Sequence, residues 1–266
     1  SFVGLFGIGF VVNYGRIANN LLPPFQVPKF LKSSDIYRVK IYDAEPEVLQ
    51  ASAGTDIKII IGLENIYLQR MCDPQQAKTW IQQNVQPFLL QTKITCINVG
   101  NKVLGGGDSQ LESYLLPAMN TMHGALVNLG SSKEVYITTS HSFQIIPTFF
   151  SPFQGAFKED MVQYMKPILD FHAQVKSPFS LTCTLILCTK VIKTTISWNV
   201  VYTVLEALES TNLEVKISET GWPSKGDENK AGYKKGKVLQ PDLQTRLTSI
   251  FLLFLTRTKR TAQLQR

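Results

Sequence analysis

Residues 94–128 read ITCINVGNKVLGGGDSQLESYLLPAMNTMHGALVN. The stretch opens as an apolar, β-branched run, turns polar at Val99-Gly100-Asn101 and then meets a lysine, Lys102. The three glycines 105–107 do not form the GxGxxG of a phosphate-binding loop and read as a flexible connection. Asp108 and Ser109 can cap the helix that follows. In it Leu111, Leu115, Met119, Met122 and Leu126 recur at helical spacing up to Asn128, and Gly130 can stop it. Strand, loop and helix in this order make one β/α unit.

The unit repeats along the chain. Strands are predicted at FVVNYG (10–15), RVKIYD (38–43), IKIIIGL (57–63), ITCINVG (94–100), VYITTSHS (135–142), LEVKISETG (213–221) and SIFLLFL (249–255), with a weak one at FSLTCTL (179–185). Helical patterns cover 75–85, opened by Asp73-Pro74, and 160–175 and 199–209. Near-continuous apolar strands fit a parallel sheet covered on both faces. Up to eight such alternations imply a (β/α)₈ TIM barrel, a single domain over 1–266. A doubly wound open sheet is the alternative, but no glycine-rich loop follows the first strand.

The 266 residues are 44% hydrophobic and 18% charged, enough for one large core. No run reaches the roughly 18 apolar residues of a membrane span. The apolar start, SFVGLFGIGFVV, reads as a buried first strand rather than a signal-peptide remnant. A net charge of +7 would suit an acidic partner, but Lys and Arg gather toward the carboxyl end, so the basicity is partly a property of the tail. Cys72, Cys96, Cys183 and Cys188 form no CxxC, and no His pair has zinc spacing, so neither metal nor cofactor is expected. Cys183 and Cys188 fit either a disulfide or two buried thiols.

In a barrel of this kind the chemistry sits at the carboxyl ends of the strands. Those ends present Tyr14, Tyr42 with Asp43, Asn101 with Lys102, His141, and Glu219 ahead of Thr-Gly-Trp. Aromatics, amides and a carboxylate suit a neutral polyhydroxylated ligand. Tyr14 and Tyr42 taken alone read as rim packing, and His141 as a hydrogen-bonded structural histidine. Glu219 is different. A carboxylate at the end of an apolar strand, with Trp222 and Pro223 fixing the next turn, is costly unless it is used.

Several stretches together resemble one family. NYGRIANNL (13–21), VKIYDAEPEVLQA (39–51), WIQQNVQPFL (80–89), ITCINVGN (94–101), LLPAMNTMHGALVNLG (115–130), FKEDMVQYMKPILDF (157–171) and LEVKISETGWPSKGDEN (213–229) are similar to the plant β-1,3-glucanases of glycoside hydrolase family 17. That family includes pathogenesis-related proteins of plant defence and allergens. The resemblance implies a secreted, monomeric barrel, extracellular, in the cell wall or in the vacuole. Its partner would be β-1,3-glucan, with no nucleic acid and no membrane, and it would act as a glucan endo-1,3-β-glucosidase with retention of configuration. Retention uses two carboxyl groups about 5–5.5 Å apart, one as nucleophile and one as acid and then base. The ISETGWPS motif implies Glu219 as the nucleophile. Asn101 matches the asparagine that precedes the acid/base, while Tyr14, Tyr42 and Trp222 match substrate-binding positions.

Lys102 stands where the family's pattern places the acid/base glutamate. A lysine side chain, with an ordinary pKa near about 10.4, can donate a proton but is a poor base at neutral pH. Two further departures concern 182–200, where an Asn-x-Tyr-Pro motif and the loop after it are missing, and 232–266, which turns basic. Both segments read as translated out of frame. One nucleotide string can encode 247–266 and, read two bases later, DIYLFALFNENEKNGPTSE, a version of the family's carboxyl-terminal strand. The cluster TRTKR (256–260) is then a by-product of the shift rather than a nucleic-acid or membrane patch. Three functions compete on the sequence: a working endoglucanase, a glucan-binding or allergen-like relative without turnover, and the product of a decayed gene copy.

Overall fold

The computed structural model describes residues 11–16, 21–146, 156–182, 196–210, 212–219 and 256–257. Seven strands run parallel and pair in sequence order: β1 (Val12–Tyr14), β2 (Arg38–Ile41), β3 (Lys58–Leu63), β4 (Lys93–Asn101), β5 (Tyr136–Ser142), β6 (Phe179–Thr182) and β7 (Val215–Glu219). Helices connect them: α1 (Val27–Ser33), α2 (Pro46–Ala51), α3 (Leu68–Met71), α4 (Pro74–Asn84), α5 (Ser109–Asn128), α6 (Glu159–Val175) and α7 (Ile196–Ala207). This is the curled sheet of a (β/α)₈ barrel.

Closure is where the chain departs from the regular barrel. A complete barrel needs an eighth parallel strand between β7 and β1. Here β8 (Thr256–Arg257) is two residues long and pairs antiparallel with β7, Val215 facing Arg257. Among the described residues nothing pairs with the outer edge of β1. The barrel is incomplete at this seam, as expected. The run SIFLLFL, the second half of the sixth predicted strand with Cys183, the segment 183–195, Cys188 and the chain start lie outside the described residues.

Local chemistry explains the elements that formed as predicted. The Asp108 carboxylate accepts from the Leu111 amide at 2.9 Å, and α5 ends before Gly130 at φ 71°. Asp73 likewise accepts from the amides of Gln75 and Gln76, at 2.7 and 3.1 Å, and starts α4. Leu115, Met119, Met122 and Leu126 lie on the buried face of α5. Each contributes about 1.5–3 kcal/mol by leaving water.

The interior of the sheet is less apolar than the strand sequences suggest. Asn13, Lys40, Asn98, Ser140, Ser180 and Ser218 are all buried. The Lys40 ammonium on β2 donates to Ser218 Oγ of β7 at 2.7 Å and to Ser140 Oγ of β5 at 3.2 Å. Ser140 in turn donates to Asn98 Oδ1 of β4 at 2.6 Å. Asn13 Nδ2 reaches from β1 to the Ser218 carbonyl at 3.1 Å, across the seam that a parallel eighth strand would fill. Side chains from five strands thus meet inside the sheet, and a hydrogen-bonded network of this kind stays stable only if its members are satisfied.

Candidate active site

The strand ends are aimed by backbone irregularities. The pairing of β4 with β5 shifts register between Asn98 and Asn101. Gly100 (φ 67°) and Lys102 (φ 54°) both take the left-handed conformation. A Cβ on Gly100 would meet Val103 Cγ2 at 2.7 Å, so glycine fits this turn on two counts. The bulge is held by Asn65, which follows β3. Its Oδ1 accepts from the Asn101 amide at 2.7 Å and its Nδ2 donates to the Asn101 carbonyl at 3.1 Å. The Lys102 amide donates to the Ser140 carbonyl at 2.7 Å. Lys102 occupies a backbone conformation that costs an ordinary residue about 1–2 kcal/mol. This geometry turns its side chain toward the end of β7.

There it meets Glu219. Lys102 Nζ lies 2.7 Å from Glu219 Oε2, with the lysine side chain 45% exposed and the glutamate side chain 4%. Asn101 Nδ2 donates to Glu219 Oε1 at 3.3 Å, and Lys40 Nζ approaches the same oxygen to 3.9 Å from below. Tyr42 donates its hydroxyl to the carboxylate and turns its ring to Lys40 Nζ, 5.4 Å from the centroid. Burial alone would raise the Glu219 pKa. The charge of Lys40, the hydrogen bond and charge of Lys102 and the Tyr42 hydroxyl outweigh it and hold the carboxyl below its ordinary value. Burial lowers the Lys40 ammonium to about 8, against the opposing pull of Glu219. Burial and the Glu219 charge raise the Tyr42 phenol, so it stays a donor. Glu219 is therefore an ionised carboxylate between two cations.

Three buried side-chain oxygens on strands of the same sheet have no partner among the described residues: Asn13 Oδ1, Asn101 Oδ1 and Thr182 Oγ1. Thr182 is the register partner of Glu219 on β6. Unsatisfied buried oxygens can bind ligand hydroxyls or water. An open cleft of about 340 Å³ adjoins, lined in part by Asp43, Glu45, Glu64, Tyr67, Arg70 and Trp80. It shares the β2 and β3 ends with the site but includes neither Glu219 nor Lys102. Arg16 ties its rim together through Asp43 at 3.0 Å and Glu45 at 2.5 Å.

Of the residues expected at the site, the structure brings Glu219, Lys102, Asn101 and Tyr42 together. Tyr14 is 2% exposed and donates its hydroxyl to the Leu22 carbonyl at 3.3 Å, so it packs at the rim. Trp222 lies outside the described residues. His141 is not hydrogen-bonded as expected. It is fully buried, stacks on Phe179 at 5.2 Å between centroids, and neither ring nitrogen has a partner among the described residues. Lys40 and Asn65 went unrecognised. A lysine inside the buried strand RVKIYD was a signal in itself, whereas nothing in the sequence set Asn65 apart.

Comparisons with known proteins give the family of the chain. The sequence model described as glycosyl hydrolases family 17 matches residues 9–185, more than half of the chain. The chain belongs to glycosyl hydrolase family 17. Glucan endo-1,3-beta-glucosidase 14 of Arabidopsis thaliana is 40% identical over 255 residues, covering 85% of this chain and 65% of that protein. Glucan endo-1,3-beta-glucosidase of Vitis vinifera is 32% identical, covering 84% of this chain and 73% of its own length. Among solved structures, a beta-1,3-glucanase and allergen of Cryptomeria japonica pollen superposes with a TM-score of 0.77 at 28% identity, over 82% of this chain and 76% of that one. This family 17 chain spans 65% and 58% of the length of two of its Arabidopsis relatives. Moreover, 85% of 266 residues is about 226, fewer than the 255 aligned positions, so the first relative carries positions with no counterpart here.

Proposed function

We propose that this site binds β-1,3-glucan and descends from a retaining endo-1,3-β-glucosidase, with Glu219 as the nucleophile and Lys102 in place of the acid/base glutamate. The contact of 2.7 Å between Lys102 Nζ and Glu219 Oε2 carries this reading, because it puts an ammonium directly opposite the surviving carboxylate. In the retaining mechanism that opposite group protonates the departing sugar oxygen and then deprotonates water. An ammonium can do only the first. Loss of general acid/base help lowers the rate by about 10²–10⁴. Hydrolysis of glucan by this chain is accordingly strongly impaired.

The same ion pair favours a second reading, in which the chain binds glucan without cleaving it, since it fills the nucleophile's open side. The test is reducing-sugar release from laminarin by the chain, by Lys102→Glu and by Glu219→Gln. Recovery of turnover in Lys102→Glu supports the first reading, and laminarin-dependent retardation in a native gel without turnover in any form supports the second. Turnover by the unmodified chain at the level of Lys102→Glu overturns the assignment of Lys102. A cell-wall substrate goes with secretion to the apoplast or passage to the vacuole, which the chain's location in fractionated tissue would check.

A further inference from the structure

The half of a double displacement that needs no proton is intact around Glu219. We infer that the site transfers glucosyl units from donors with a self-sufficient leaving group to small anionic acceptors, an inference that rests on the reading of Glu219 as nucleophile.

In the first step a Glu219 oxygen bonds to the anomeric carbon and the bond to the leaving group breaks, with the electron pair going to the leaving group. A sugar alkoxide needs a proton at that moment, whereas dinitrophenolate does not. In the second step the acceptor bonds to the anomeric carbon and the ester bond to Glu219 breaks, returning the pair to the carboxylate. Water must lose a proton there, and among the described residues no base faces it. Azide, formate or acetate arrive as anions with no proton to lose. Two displacements give a product of retained configuration.

Charge selects the acceptor. Glu219 sits between the Lys40 and Lys102 ammonium groups, 3.9 and 2.7 Å away. Forming the glucosyl ester cancels the negative charge between them, so the site becomes more positive by one unit when the acceptor must enter. Lys40 is 1% exposed and held by Ser218 and Ser140, so it is a fixed part of the floor. Lys102 is 45% exposed and forms the accessible wall. A glutamate at position 102 would repel an anion on this path, and a lysine attracts it.

The test uses the full chain, 2,4-dinitrophenyl β-laminaribioside as donor, and sodium azide against sodium chloride at equal ionic strength. Phenolate release is expected to be slow with chloride and to rise by about tenfold or more with azide, the general-base factor being bypassed. The β-glucosyl azide should appear in the proton spectrum. Lys102→Ala should keep azide-dependent release but need a higher azide concentration for half its maximal rate. Phenolate release by the chain equal to that of Glu219→Gln, or indifferent to azide, overturns the inference. If Lys102→Glu meanwhile cleaves laminarin, the proposed function stands and only the transfer reaction fails. If Lys102→Glu melts cooperatively but cleaves nothing, the reading of Glu219 fails with it. A chain without a cooperative melt overturns both.

Discussion

The Asn65 side chain grips the Asn101 peptide on both sides, accepting from its amide at 2.7 Å and donating to its carbonyl at 3.1 Å. One amide group after β3 thus sets the bulge that places Asn101 at the end of β4 and Lys102 just beyond it. Asn65→Ala should cost about 1–3 kcal/mol, because two backbone groups lose their partners. Urea denaturation reads that cost. In the Lys102→Glu background the same change should also lower laminarin turnover more than laminarin affinity, since it moves Asn101 and residue 102 relative to Glu219.

Lys40 holds Glu219 ionised from below. Lys40→Met removes the buried positive charge beneath the carboxylate, and the Glu219 carboxyl should titrate at higher pH than in the parent. Carbon-13 NMR of labelled glutamate side chains would detect the displacement. An unchanged titration would mean that Lys102 alone sets the charge of Glu219.

Two buried histidines set the acid limit of stability. Burial pushes His141 to about 3, and burial together with His141 does the same to His172. His172 gives or takes one hydrogen bond with Ser177 Oγ at 2.7 Å, and its Nε2 has no partner among the described residues. Their folded values lie below the unfolded value near about 6.5, so the unfolded chain binds protons first as pH falls. Stability is therefore full above about 6.5 and declines through the interval down to about 3, by roughly 1 kcal/mol per pH unit for each histidine. Melting temperature against pH should show this acid slope, and His141→Phe should flatten it.

Gly62 lets β3 approach β2. A Cβ there would lie 2.3 Å from the Tyr42 carbonyl oxygen, which is backbone and cannot swing aside. Gly62→Ala should destabilise the chain by about 1–3 kcal/mol or more, as overpacking does. It should also displace Tyr42 from Glu219, visible as a shift of the tyrosine hydroxyl's ultraviolet titration.

The reading of 247–266 as a shifted frame is checked at the nucleic acid. The transcript, read two bases later over this stretch, should encode Asp-Ile-Tyr and an acidic Asn-Glu-Asn-Glu run. Codons that yield neither refute the shift.

Much of this architecture could be read from local signals. The α5 helix began and ended where Asp108 and Gly130 said it would, because capping is a contact between near neighbours in sequence. Glu219 and Lys102 were conspicuous for a similar reason: each is a charge at the end of an apolar run. The interior network was not legible in the same way. Ser140, Ser218 and Asn98 look ordinary in their own strands and gain meaning only when the sheet curls and Lys40 reaches them. Asn65 depends on a partner 36 positions away. His141 was expected to find hydrogen bonds, but its neighbour across the strand is Phe179, a contact between residues far apart in the sequence. The seam beyond β7 was anticipated only through the family pattern.

The left-handed turn at Lys102 has one more consequence. Its conformation is set by Gly100, Asn65 and the Ser140 carbonyl, none of which touches the chemistry of the side chain at position 102. Any residue placed there inherits the same strain and the same aim. The local scaffold therefore fixes the place and direction of whatever side chain stands at 102, so a carboxylate introduced there requires no rebuilding of the backbone around it.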